Sequence, residues 1–114
     1  MEISNIKCTN MDLTDAIRAY VEEKMLSLAK FAQHFEPAVT LDIEVGKTTG
    51  HHNKGEVFKA ECNLQIPGHL LRAESVGDDL YAAIDACQSD LKRQLEQVRE
   101  KLIDRKHHPR PGKE

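Results

Sequence analysis

Val39-Thr40-Leu41-Asp42-Ile43-Glu44-Val45 alternates apolar and polar side chains at every step. A period of two places Val39, Leu41, Ile43 and Val45 on one face and Thr40, Asp42 and Glu44 on the other, the pattern of a strand buried on one side and wet on the other. A second alternation follows, with Phe58, Ala60, Cys62, Leu64 and Ile66 against Lys59, Glu61, Asn63 and Gln65. Between the two, residues 46–55 carry three glycines and no aliphatic residue, which predicts a mobile loop joining neighbouring strands. Pro67-Gly68 then makes a turn, since proline presets φ and glycine accepts φ > 0, so a strand from His69 to Ser75 returns as a hairpin.

Upstream, Ile3 to Cys8 reads as a first strand, bounded by Thr9-Asn10. Thr14 stands at an N-cap position and Asp15 in the first turn, where the helix dipole favours negative charge. Ile17, Tyr20, Val21, Met25 and Leu28 recur at helical spacing, predicting a helix from about Asp15 to about His34, with Pro37 preventing continuation. Downstream, Leu80, Ile84, Cys87, Leu91, Leu95, Val98 and Leu102 recur every three or four residues, with no Gly or Pro before Pro109. A helix from about Asp79 to Lys106 would be roughly 40 Å long at 1.5 Å per residue, so its last turns are expected to project. The expected fold is α+β in the order β-α-β-β-β-α, a four-stranded sheet with two helices packed on one face. Its single domain spans residues 1–106, followed by a flexible basic tail at 107–114.

The 114 residues suit one domain, and 39% hydrophobic with 31% charged residues is a globular composition. No stretch approaches the roughly 20 apolar residues of a membrane span, and the N-terminus lacks the regions of a signal peptide, which points to the cytoplasm. Cys8, Cys62 and Cys87 are odd in number, widely spaced and all on the inward phase of their elements, so buried structural thiols are expected rather than a disulfide framework. The histidines fall as adjacent pairs in loops and tail (His51-His52, His107-His108) or singly, without carboxylates or cysteines at ligand spacing, so neither metal nor cofactor is expected. No phosphate-binding glycine loop or nucleophile elbow is present, and an enzyme is not expected.

Charge is distributed unevenly. Residues 1–91 hold 8 Lys/Arg against 15 Asp/Glu, whereas residues 92–114 hold 8 against 4, giving −3 in all. Such asymmetry points to a basic helix end meeting an anionic partner, although a solvated helix end accounts for the same counts. Lys92, Arg99 and Lys106 recur every seven residues on one stripe, with Arg93, Lys101 and Arg105 on flanking stripes. Lys24 and Lys30 join them if the helices lie side by side. Glu96, Glu100 and Asp104 are placed to neutralise part of this charge by i,i+4 pairing. Aromatics are 4% of the chain, and the sheet offers no stacking platform, so RNA contact is expected to be mainly to phosphates and shape.

Met11-Asp12-Leu13-Thr14, Ile17-Arg18-Ala19-Tyr20-Val21, Lys24, Leu28 and Lys30, and above all Asp79-Leu80-Tyr81-Ala82-Ala83-Ile84-Asp85, resemble the ribosome hibernation promoting factor and ribosome-associated inhibitor A family, also labelled sigma-54 modulation proteins. Arg93-Gln94-Leu95 and Lys101 continue the resemblance, which covers Ile6 to Lys101. It implies the same fold, like that of a double-stranded-RNA-binding domain. It also implies binding in the mRNA and tRNA channel of the small ribosomal subunit, through 16S rRNA and ribosomal proteins, with translation stopped and idle ribosomes preserved. By matching position, the resemblance implies contacts from Lys24, Lys30, Arg93 and Lys101; the charge argument adds Lys92, Arg99, Arg105 and Lys106. Ser27, Asp90 and Gln97 stand where a basic residue is common in the family.

For Tyr81, Asp79 and Asp85 two readings stand. Either they belong to a site, or Tyr81 packs on the sheet edge while the aspartates satisfy helix-end and solvent hydrogen bonds. A second function class is a protein-interaction regulator binding a sigma factor or other protein through the acidic face, and a third is a small enzyme built from Cys and His. Because only eight residues follow Lys106, the expectation is a monomer that occupies ribosomes singly and joins them only with a separate dimerising factor.

Overall fold

A computed structural model describes residues 1–48 and 57–107, with side chains as far as 103. Strands β1 (Glu2–Thr9), β2 (Thr40–Lys47), β3 (Phe58–Ile66) and β4 (His69–Gly77) form one sheet in that order, with helices α1 (Asp15–Leu26), α2 (Ala29–Ala32) and α3 (Leu80–His107). β1 runs parallel to β2, as the helical crossover between them permits, and the other neighbours are antiparallel. The α+β fold expected from periodicity is the one observed. Ile66 pairs with His69 across Pro67-Gly68, and Gly68 has φ +81°, the left-handed conformation that a proline–glycine turn requires.

One face of the sheet carries the core. Leu41, Ile43 and Val45 of β2, Cys62, Leu64 and Ile66 of β3, and Leu71 and Ala73 of β4 are buried against Val21, Met25 and Leu28 and against Ile84, Cys87, Leu91 and Leu95. No polar or charged residue is buried among those described. Beyond Leu95, only Val98 and Leu102 among the described residues pack partly on the core, so the last turns of α3 reach past the sheet.

The structure corrects four expectations. The first helix is not continuous to His34: it ends at Leu26, turns through Ser27-Leu28, and resumes as α2 and a 3-10 turn at Gln33–Phe35. Ser27 and Leu28 have ψ of −15° and −14°, shallower than the roughly −42° of an α-helix, and the Ser27 hydroxyl bonds the Lys24 carbonyl. The apolar rhythm crosses this break unchanged, because Leu28, Ala32 and Phe35 stay buried. Cys8 is half-buried, because β1 is an edge strand with one neighbour, while Cys62 and Cys87 are buried as expected. β4 continues past Ser75 to Gly77, since its pairing with β3 runs to the Phe58–Gly77 pair.

Gly46 and Lys47 belong to β2 rather than to the loop. Gly46 pairs with Thr9, and a Cβ there would sit 2.1 Å from the Thr9 carbonyl oxygen, so only glycine lets β1 approach. Thr48 follows outside the strand, its backbone N–H donating to the Val57 carbonyl at 2.8 Å; the remainder of the expected loop, 49–55, and the tail after His107 lie outside the described residues.

Candidate nucleic-acid interface

On α3, Tyr81, Asp85, Gln88, Lys92 and Arg99 lie four, three, four and seven residues apart, which sets them on one stripe beside the apolar face. α1 and α2 run alongside that stripe, and the two sides touch repeatedly. The rings of Tyr20 and Tyr81 meet edge to face at 4.7 Å. The Tyr20 hydroxyl donates to Asp85 Oδ1 at 2.6 Å, and Lys24 Nζ lies 3.4 Å from the same oxygen. Gln88 donates to the Ser27 hydroxyl at 3.1 Å. Farther along, the Lys92 and Lys30 ammonium groups lie 4.9 and 5.3 Å from the Phe31 ring centroid. Arg99 lines one surface hollow with Lys30, Phe31, Gln33 and His34. The result is a groove whose floor alternates aromatic rings with cations.

Pairing decides which cations remain available. Lys24 shares Asp85 with Tyr20, and Arg93 is held by Asp90 one turn back. Lys30, Lys92, Arg99 and Lys101 form no ion pair with any described carboxylate. The neutralisation expected from Glu96 and Glu100 is therefore absent among the described residues; Lys92 lies over Phe31, where its charge meets the negative face of the ring. Lys101 stands seven residues beyond Gln94, which bonds the Arg72 carbonyl of β4 at 2.8 Å, so it shares the flank toward the sheet. Of the eight candidate cations, the groove gathers Lys24, Lys30, Lys92 and Arg99; Arg93 and Lys101 lie on other stripes, and the side chains of Arg105 and Lys106 lie outside the described residues.

Tyr81 does not pack on the sheet edge. It stands 39% exposed in the groove mouth against Tyr20. Asp79 caps α3, its carboxylate accepting from the backbone N–H of Tyr81 at 2.9 Å, as the helix-end reading expected. Asp85 does more than meet solvent. Its hydrogen bond holds the proton on the Tyr20 phenol, and a phenolate beside its carboxylate is unfavourable, so the Tyr20 pKa is pushed up to about 12. Neither the contact between Tyr20 and Tyr81 nor the part played by Phe31 was expected from the sequence; the signal was Tyr20 and Phe31 at the margin of the first helix's apolar stripe.

The outer sheet face is of another kind. Lys59 pairs with Glu74 at 3.0 Å and Glu61 at 3.9 Å, Arg72 with Glu61 at 3.8 Å, and Asn63 bonds Asp42 at 3.3 Å. Its carboxylates are largely satisfied within the face. Among the described residues no three ligating side chains converge on a metal position, and Cys87 donates its thiol to the Ala60 carbonyl inside the core.

The model of the Sigma 54 modulation protein / S30EA ribosomal protein family matches residues 4–103. A ribosome hibernation promoting factor from Azotobacter vinelandii is 35% identical over 108 residues, covering 95% of this chain and 92% of that protein. A ribosome hibernation promotion factor from Deinococcus radiodurans is 32% identical over 112 residues, 97% of this chain. The chain spans 56% of that relative's length and 52% of a similarly named Staphylococcus aureus protein. Among solved structures, the Protein Y N-terminal domain of Thermus thermophilus superposes with a TM-score of 0.70 at 32% identity, covering 86% of this chain and 99% of that one. A ribosomal subunit interface protein from Coxiella burnetii shares the fold, with a TM-score of 0.63 at 21% identity over 88% of this chain.

Proposed function

The chain belongs to the Sigma 54 modulation protein / S30EA ribosomal protein family, and on that premise we propose that it is a ribosome-binding hibernation factor. It occupies the mRNA and tRNA channel of the small subunit, contacts 16S rRNA and ribosomal proteins there, and stops translation while preserving the idle ribosome. The observation that carries this reading is the set of Lys30, Lys92 and Arg99, cations that have no carboxylate partner among the described residues and are gathered in one groove of a chain whose net charge is −3. Phosphates attract such a cluster at short range, where it outweighs a distant acidic body screened over about 8–10 Å of salt solution. The protein works by binding rather than by catalysis, and a ribosome-bound factor works in the cytoplasm.

The acidic face gives less support to binding a sigma factor, because Glu61, Glu74 and Asp42 are engaged by Lys59, Arg72 and Asn63. The deciding experiment is co-sedimentation with purified small and large subunits, repeated with the channel filled by messenger and transfer RNA. Binding to small subunits that falls when the channel is filled is the expected result. Retention on filled small subunits, or binding only to large subunits, would contradict channel occupancy.

A further inference from the structure

We propose that the groove between α1–α2 and α3 takes single-stranded RNA, with an unpaired base stacked on the exposed ring of Tyr81. The inference rests on the ribosome-binding reading and specifies which part of the RNA this surface accepts. Tyr81 is 39% exposed, yet its ring is positioned: Tyr20 packs perpendicular to it at 4.7 Å, and Tyr20 is itself anchored through its hydroxyl on Asp85 at 2.6 Å. Asp85 also draws in Lys24 at 3.4 Å, setting a cation beside the ring pair. A half-exposed aromatic held in this way presents a surface at little further ordering cost.

The rest of the groove repeats the pattern. Lys92 lies about 16 Å along α3 from Tyr81, and Arg99 about 10 Å farther, at 1.5 Å per residue. Between them Phe31 sits with Lys30 and Lys92 over its ring. Alternating rings and cations over this length suit an unpaired strand, whose bases stack while its phosphates need neutralising. Duplex RNA would leave Tyr81 unused, because A-form helices keep their base faces stacked inside.

The chain has two tyrosines and no tryptophan, and both tyrosines stand in the groove, so intrinsic tyrosine emission reports this surface alone. The experiment has two arms. In the first, small-subunit binding is measured for the wild type, Tyr81→Phe and Tyr81→Ala, with circular dichroism confirming the fold. Tyr81→Ala is expected to weaken binding roughly 5- to 150-fold, the range for losing one base–aromatic stack, while Tyr81→Phe binds as the wild type does. Unchanged binding by Tyr81→Ala, or an equal loss in Tyr81→Phe, overturns the inference and leaves the ribosome-binding reading standing.

The second arm titrates the protein with a short oligouridine and with an abasic ribose-phosphate strand of equal length and charge. Quenching of tyrosine emission by the oligouridine only is expected. Equal quenching by both strands, or by neither, overturns the inference. Should the wild type fail to bind small subunits, the ribosome-binding reading falls and this arm alone decides the stacking proposal.

Discussion

Replacing Lys92 with alanine should change how steeply ribosome binding falls with salt. Lys30, Lys92 and Arg99 are the groove cations without a carboxylate partner among the described residues, so three phosphate contacts are expected from them. Each neutralised phosphate contributes about 0.7 to the slope of log K against log salt for a single strand and about 0.9 for a duplex, giving a slope between about −2.1 and −2.7. From about 50 to about 200 mM salt, binding should therefore weaken about 20- to 40-fold. With Lys92→Ala the slope falls to between about −1.4 and −1.8, and the same change in salt costs about 7- to 12-fold. Arg93→Ala serves as the control, since Arg93 is held by Asp90 on another stripe and should leave the slope as it is. The assay is co-sedimentation across a salt series at fixed magnesium, with circular dichroism on each variant. A wild-type slope in Lys92→Ala, or an equal drop in Arg93→Ala, would refute the assignment of the groove as the phosphate-binding surface.

Tyrosinate absorbance against pH should show one phenol ionising near pH 12, and Asp85→Asn should return it toward the ordinary value of 10. Because the fold raises this pKa, its stabilising effect is complete below about pH 10 and is lost as pH rises through about 12; urea denaturation at several alkaline pH values should show that loss in the wild type and not in Asp85→Asn. Gly46→Ala should destabilise the domain by about 1–3 kcal/mol in the same assay, because its methyl group would collide with the Thr9 backbone. An alkylating reagent should modify Cys62 and Cys87 only after unfolding, which peptide mass mapping will show; reaction of either in the folded protein would contradict their burial.

The β2–β3 and β3–β4 pairings were legible from alternation and the turn between them, since residues 39–45 and 58–66 must bury one face and Pro67-Gly68 must turn, whereas the parallel pairing of β1 with β2 was not. The break at Ser27 was not legible, because Met25, Leu28, Ala32 and Phe35 keep helical spacing through it. Periodicity records which side chains face the core, and a tightened turn preserves that record. The partners of the site cations were hidden for another reason. Spacing permits Lys92 to meet Glu96, yet Lys92 lies over Phe31, a choice set by how α2 packs on α3. Tyr20 meeting Tyr81 is likewise a tertiary fact, which neither segment contains by itself.

The central claim is that the helix groove, rather than the sheet, faces ribosomal RNA. Electron cryomicroscopy of the protein bound to the small subunit tests it most directly. Lys30, Lys92 and Arg99 should lie against rRNA phosphates inside the mRNA and tRNA channel, with the Lys59, Glu61 and Glu74 face turned away. Density that places the outer sheet face against the RNA, or the protein outside the channel, would contradict the account.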